Sequence, residues 1–135
     1  MASLAIDTLD HPSLSLVRSV EQGLPIESVD ELAEAIAPHD ARFRYRLVPK
    51  SSLAKQRSAA GHRLTVDQGD KVFRVARVWA HARRVWKSDE AARAFLGRPH
   101  PLLDGTPPLD VVLGTMAGAS LVGDILGRLE HGTAV

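Results

Sequence analysis

The chain has 135 residues, 44% hydrophobic and 24% charged, enough for one compact unit or two small ones sharing a core. It has no cysteine, which excludes disulfides and thiol chemistry, and no apolar run near the roughly 18–20 residues of a membrane span. The net charge of +1 is unevenly spread: residues 1–41 hold one base and eight acids, residues 42–98 fifteen bases and four acids, residues 99–135 one base and four acids. A basic middle between acidic ends suits a polyanion or an acidic partner, and equally a solvated arginine-rich surface.

Residues 1–12 are expected to be a flexible arm. Asp7 and Asp10 with no early Lys or Arg make a poor secretory signal, so a cytoplasmic location is expected. Aromatics are only 4% and no alternating β-branched run occurs, so the expected fold is all-α. A first helix is read over 13–22, with Ser13 as cap and Gly23 as stop. Ser28 is placed as the cap of a helix over 29–37, with Asp30, Glu31 and Glu34 near its positive end and Pro38 at its close. A short helix over 40–47 breaks before Pro49, and a further one runs over 50–60 to Gly61.

Those two short helices form a candidate helix–turn–helix. The second carries Lys50, Ser51, Ser52, Lys55, Gln56 and Arg57, types that suit phosphate contact and base-edge readout. Arg42, Arg44 and Arg46 could add phosphate contacts. A generic polar hairpin has the same composition.

Thr65-Val66-Asp67-Gln68 reads as a capping box opening a long helix to about Lys87. At about 100° per residue, Val72, Val75, Val78, Trp79, Ala82, Val85 and Trp86 share one arc. Arg74, Arg77, His81 and Arg84 share the opposite arc, a face for nucleic acid, for an acidic partner or for water; Phe73 sits near it. Ser88 caps a helix over 89–96. Residues 97–108, with four prolines and two glycines, read as an ordered loop. A short helix over 109–115 and a last one over 117–131 follow, the latter with Leu121, Val122, Ile125, Leu126 and Leu129 on one face. Ala119, Gly123 and Gly127 form a ridge of small residues. Each glycine costs about 1 kcal/mol of helix propensity, so close approach by another backbone is expected there, from a neighbouring helix of the fold or equally from a protein partner.

No catalytic constellation emerges. The six histidines show no HExxH spacing, and there is no GxSxG, Walker loop or GxGxxG. Asp104 and Asp110 could serve as an acid/base pair, but Asp110 near a helix start is explained more simply by the dipole. Neither enzyme activity nor a metal or cofactor is expected.

The stretch Arg63-Leu64-Thr65-Val66-Asp67-Gln68-Gly69-Asp70-Lys71-Val72-Phe73-Arg74-Val75-Ala76-Arg77-Val78 is similar to the linker and long helix of the Xre–MbcA–ParS antitoxins. Ala91-Ala92-Arg93-Ala94-Phe95-Leu96, Gly105-Thr106-Pro107-Pro108-Leu109-Asp110-Val111-Val112, Thr115-Met116-Ala117-Gly118-Ala119 and Leu126-Gly127-Arg128-Leu129-Glu130-His131-Gly132 resemble later motifs of that family, in order. Gly23-Leu24-Pro25 and Val48-Pro49-Lys50-Ser51-Ser52-Leu53 resemble its degenerate helix–turn–helix. The resemblance spans residues from about 14 to 133. It departs at Arg46-Leu47, where relatives tend to have Leu-Gly, and at Ala54 and Gln56, where they often carry more arginine.

This resemblance implies an Xre-like helix–turn–helix over 13–62 and a helical toxin-binding domain over 63–135. It implies a RES-domain toxin as partner, one that degrades NAD or transfers ADP-ribose. The toxin's pocket would be obstructed by Arg128, Glu130, His131, Gly132 and Thr133. It also implies operator DNA as a further ligand, homodimers within a larger complex, and Trp79 and Trp86 in the core. A stand-alone DNA-binding repressor is the alternative role.

Overall fold

The computed structural model describes residues 13–59 and 61–132, which hold eight α-helices and no strand beyond two isolated bridges. The chain divides into two compact units between Phe73 and Arg74.

In the first unit, α1 (Leu14–Gln22) starts where Ser13 Oγ accepts the Leu16 N–H at 3.2 Å. Gly23 ends it with φ +103°, its N–H shared between the Ser19 and Val20 carbonyls. A Cβ at Gly23 would lie 2.9 Å from the Leu64 carbonyl oxygen, so both conformation and space require glycine. Here the chain pairs with residues 62–64. Leu64 N–H donates to the Leu24 carbonyl at 2.8 Å, Ile26 N–H to the His62 carbonyl at 3.0 Å, and the Arg63 guanidinium to the Gly23 carbonyl at 2.9 Å.

Helix α2 (Glu27–Ile36) begins two residues before the sequence reading. Ser28 is not its cap. The Pro25 carbonyl already accepts the Ser28 N–H, and the Ser28 side chain turns inward, 1% exposed, its hydroxyl without a hydrogen-bond partner. Ile26, Val29, Leu32, Ala33 and Ile36 form the buried stripe. The helix expected over 40–47 is reduced to α3 (Arg44–Leu47). Asp40 Oδ1 takes the Arg42 N–H, and the chain winds through i to i+3 bonds at Phe43, Tyr45 and Arg46. Helix α4 (Lys50–Ser58) follows Pro49 directly and stops short of Ala59; Ala60 is outside the described residues. Phe43, Leu47, Val48 and Leu53 join the core of this unit.

Helix α5 (Val66–Trp86) opens on the expected capping box: Thr65 Oγ1 accepts the Gln68 N–H at 3.2 Å and Gln68 Oε1 accepts the Thr65 N–H at 2.9 Å. The boundary between the units falls within this helix.

In the second unit, Lys87 (φ +63°) ends α5 and Ser88 Oγ caps α6 (Asp89–Gly97) by accepting the Ala91 N–H. The stretch expected as loop contains a 3-10 turn at Pro101–Leu103, capped by His100 Nδ1, and a bridge between His100 and Thr106. Helix α7 (Pro108–Gly114) leads to α8 (Met116–Glu130). Thr115, placed inside a helix by the sequence reading, is instead the cap of α8, its Oγ1 2.9 Å from the Gly118 N–H.

Helices α7 and α8 pack together at Gly118, where a Cβ would stand 2.2 Å from the Val111 carbonyl oxygen. Within the fold the close approach is therefore there, and among the described residues no neighbouring helix packs on the ridge at Gly123 or Gly127. A Cβ on Gly123 or Gly127 would meet nothing within 4 Å. Val75, Trp79, Ala82, Leu96, Val112, Val122, Ile125 and Leu126 make the core. Of the residues expected on the buried faces, Trp86 is 40% and Leu121 47% exposed, and Val85 and Leu129 are half-buried.

Candidate functional site

The carboxyl end of α8 is where charge, geometry and the sequence reading converge. Arg84, on α5, grips Glu130 with both arms of its guanidinium: Nε to Oε2 at 2.6 Å and Nη2 to Oε1 at 3.3 Å. His81, one turn earlier, places Nε2 3.3 Å from Glu130 Oε1. The Arg84 hydrogen bond, helped by His81, holds the Glu130 carboxyl down at about 2, against a desolvation effect that raises it. This clamp fixes the last residue of α8 to α5.

The chain then leaves along a defined path. His131 N–H donates to the Gly127 carbonyl at 3.1 Å and Gly132 N–H to the Leu129 carbonyl at 3.3 Å, with Gly132 at φ +73°. Such a left-handed exit suits glycine. Arg128, His131 and Gly132 are exposed. Thr133 lies outside the described residues.

The basic arc is largely engaged within the chain. Arg74 caps the end of α7, its Nε 2.9 Å from the Val112 carbonyl and its Nη2 2.8 Å from that of Leu113. His81 and Arg84 hold Glu130. Arg77 is exposed. Sequence reasoning missed a further set: Arg83 and Arg93 each stand 5.8 Å from the Trp79 ring centre, and Arg83 pairs with Asp89 at 2.8 Å. Arg83 and Asp89 are six residues apart across the α5–α6 turn, a spacing the sequence shows only once that turn is known.

The candidate DNA-facing residues divide similarly. Gln56 Nε2 donates to the Arg63 carbonyl at 2.8 Å, Arg57 pairs with Asp30 at 3.2 Å, and Lys50 Nζ lies over the Tyr45 ring. Arg44 also reaches Asp30, at 2.6 Å, so one carboxylate ties α2, α3 and α4 together. Ser51 and Lys55 are exposed on α4 and Ser52 is half-buried. Among the described residues no group of three or more His, Asp or Glu side chains could hold a metal ion. No helix there is long and apolar enough to cross a membrane.

Residues 15–77 match the antitoxin Xre-like helix-turn-helix domain, and residues 81–132 the antitoxin Xre/MbcA/ParS C-terminal toxin-binding domain. The chain is 31% identical over 119 residues to the antitoxin Xre of Yersinia enterocolitica, covering 87% of this chain and 79% of that protein. The chain belongs to the Xre/MbcA/ParS family of antitoxins. An antitoxin Xre of Pseudomonas putida is 30% identical over 89 residues, 66% of this chain and 55% of that relative. Both parts of this antitoxin are thereby assigned: the helix–turn–helix domain reaches into α5, and the clamp of Arg84, His81 and Glu130 lies wholly in the toxin-binding part.

Proposed function

We propose that this antitoxin silences a RES-domain, NAD-consuming toxin by inserting its carboxyl end into the toxin's active-site mouth. The observation that carries this is the clamp on Glu130. It directs an exposed base, an imidazole and a glycine turn outward from a rigid helix end. Arg128, His131, Gly132 and Thr133 act as the contact set. Glu130 acts by holding them in place, since its carboxylate is already engaged with Arg84. A pre-positioned end loses less freedom on docking than a loose one, which favours affinity.

The test is a chain ending at Glu130, assayed for inhibition of NAD consumption by the copurified toxin. Loss of inhibition with an unchanged circular dichroism spectrum is expected. Full inhibition by the shortened chain would contradict the plug. Truncation at Leu126 would be a poor test, because Leu126 is fully buried.

A second role rests on Lys55 and Ser51, which stand exposed on α4 beside Lys50. We read this face as the contact with operator DNA, through which a homodimer within the toxin complex represses its own operon. Lys55→Ala should lower the slope of log affinity against log salt by about 1. Absence of any mobility shift on the upstream promoter would remove this role.

A further inference from the structure

An open groove of about 520 Å³ runs between the end of α5 and the segment after α6, lined by Trp86, Glu90, Ala91, Phe95, Arg98 and His100 among others. Its floor is aromatic. Trp86 and Phe95 lie with ring centres 5.7 Å apart, and Phe95 meets His100 edge-on at 6.0 Å. Trp86 shares its helical arc with Trp79, yet Trp79 is 1% exposed and Trp86 40%. Lys87, just after Trp86, is in the left-handed conformation and ends the helix there. On the rim, Glu90 and Arg98 are exposed.

We infer that this groove is a second anchoring site for the toxin, distinct from the carboxyl end and resting on the reading of this part as toxin-binding. The occupant is a toxin surface segment with one large apolar side chain over Trp86 and Phe95, a carboxylate toward Arg98 and a base toward Glu90. Three observations favour it. Every lining residue falls within the stretch that matches the toxin-binding domain. An indole held by a neighbouring ring offers a large contact area at low entropic cost, as binding hot spots do. Two exposed opposite charges on the rim read the direction of a bound segment, because the reversed segment would face like charges.

The test titrates the copurified toxin with full-length antitoxin carrying Trp86→Ala, Trp86→Phe, Arg98→Glu or no change, beside the chain ending at Glu130. Trp86→Ala should weaken binding about tenfold or more, and Trp86→Phe should restore part of it. Arg98→Glu should weaken binding as well. Acrylamide quenching of the unmodified chain, whose accessible indole is Trp86, should fall in the complex. This readout does not depend on any substitution being tolerated. Trp86→Ala binding within about twofold of the unmodified chain, or quenching unchanged in the complex, would overturn the inference. If these changes are seen while the chain ending at Glu130 inhibits fully, the groove stands and the plug falls. The converse pattern spares the plug and removes the groove.

Discussion

Glu130 titrates far from an ordinary glutamate, and the cause is local: two hydrogen bonds from Arg84 and a contact from His81 favour its charged form. A carboxylate whose folded value is depressed stabilises the folded state above its unfolded value and loses that contribution as pH falls. The clamp is therefore complete above about pH 4.5 and released as pH drops through about 2. Carbon-13 titration of the Glu130 carboxyl should show a midpoint near 2, returning toward 4.5 in Arg84→Ala. A normal midpoint in the unmodified chain would exclude the clamp in solution. Arg74→Ala should cost about 1–3 kcal/mol in urea denaturation, because the Val112 and Leu113 carbonyls lose a charged donor. The sequence put Arg74, His81 and Arg84 on one arc of a helix, which is correct. Helical periodicity says which residues share a face. It does not say that a carboxylate 46 residues on meets that face, so the arc looked available to a partner.

At the scale of elements, the short-range signals were the most legible. Ser13, Ser88 and the Thr65–Gln68 pair bond the backbone groups that their positions in the sequence require, because capping depends on residues three apart. Ser28 misled because the same hydroxyl that can cap a helix can also be buried within one, and the Pro25 carbonyl had already started the turn. The glycines of α8 misled for a related reason. Their spacing suggested a packing ridge, yet the contact within the fold is at Gly118, and only the position of α7 reveals it. Gly118→Ala should therefore destabilise by about 1–3 kcal/mol through overpacking against Val111. Gly123→Ala and Gly127→Ala, with open space at Cβ, should each stabilise by up to about 1 kcal/mol. Urea midpoints of the three variants separate these outcomes, and equal losses at all three would contradict the structure.

At the scale of the whole molecule, order of motifs told more than composition. The basic middle of the chain left nucleic acid, an acidic partner and water all open, and several of its bases are engaged within their own unit: Arg44 and Arg57 with Asp30, Arg63 with Gly23, Arg84 with Glu130. The ordered residue motifs that resemble the Xre–MbcA–ParS antitoxins, and the family matches over both parts of the chain, identified an antitoxin where charge alone did not. Trp86 was read into the core because it continues the arc of Trp79, and only the turn at Lys87 shows why it stands open. Under the proposed function, the end of α8 and the toxin's nucleotide compete for one place. The direct measurement is the affinity of antitoxin for toxin at rising concentrations of an NAD analogue that the toxin cannot cleave. Competition predicts an apparent dissociation constant that climbs linearly with the analogue. A constant that stays flat across saturating analogue would mean that the toxin binds both at once.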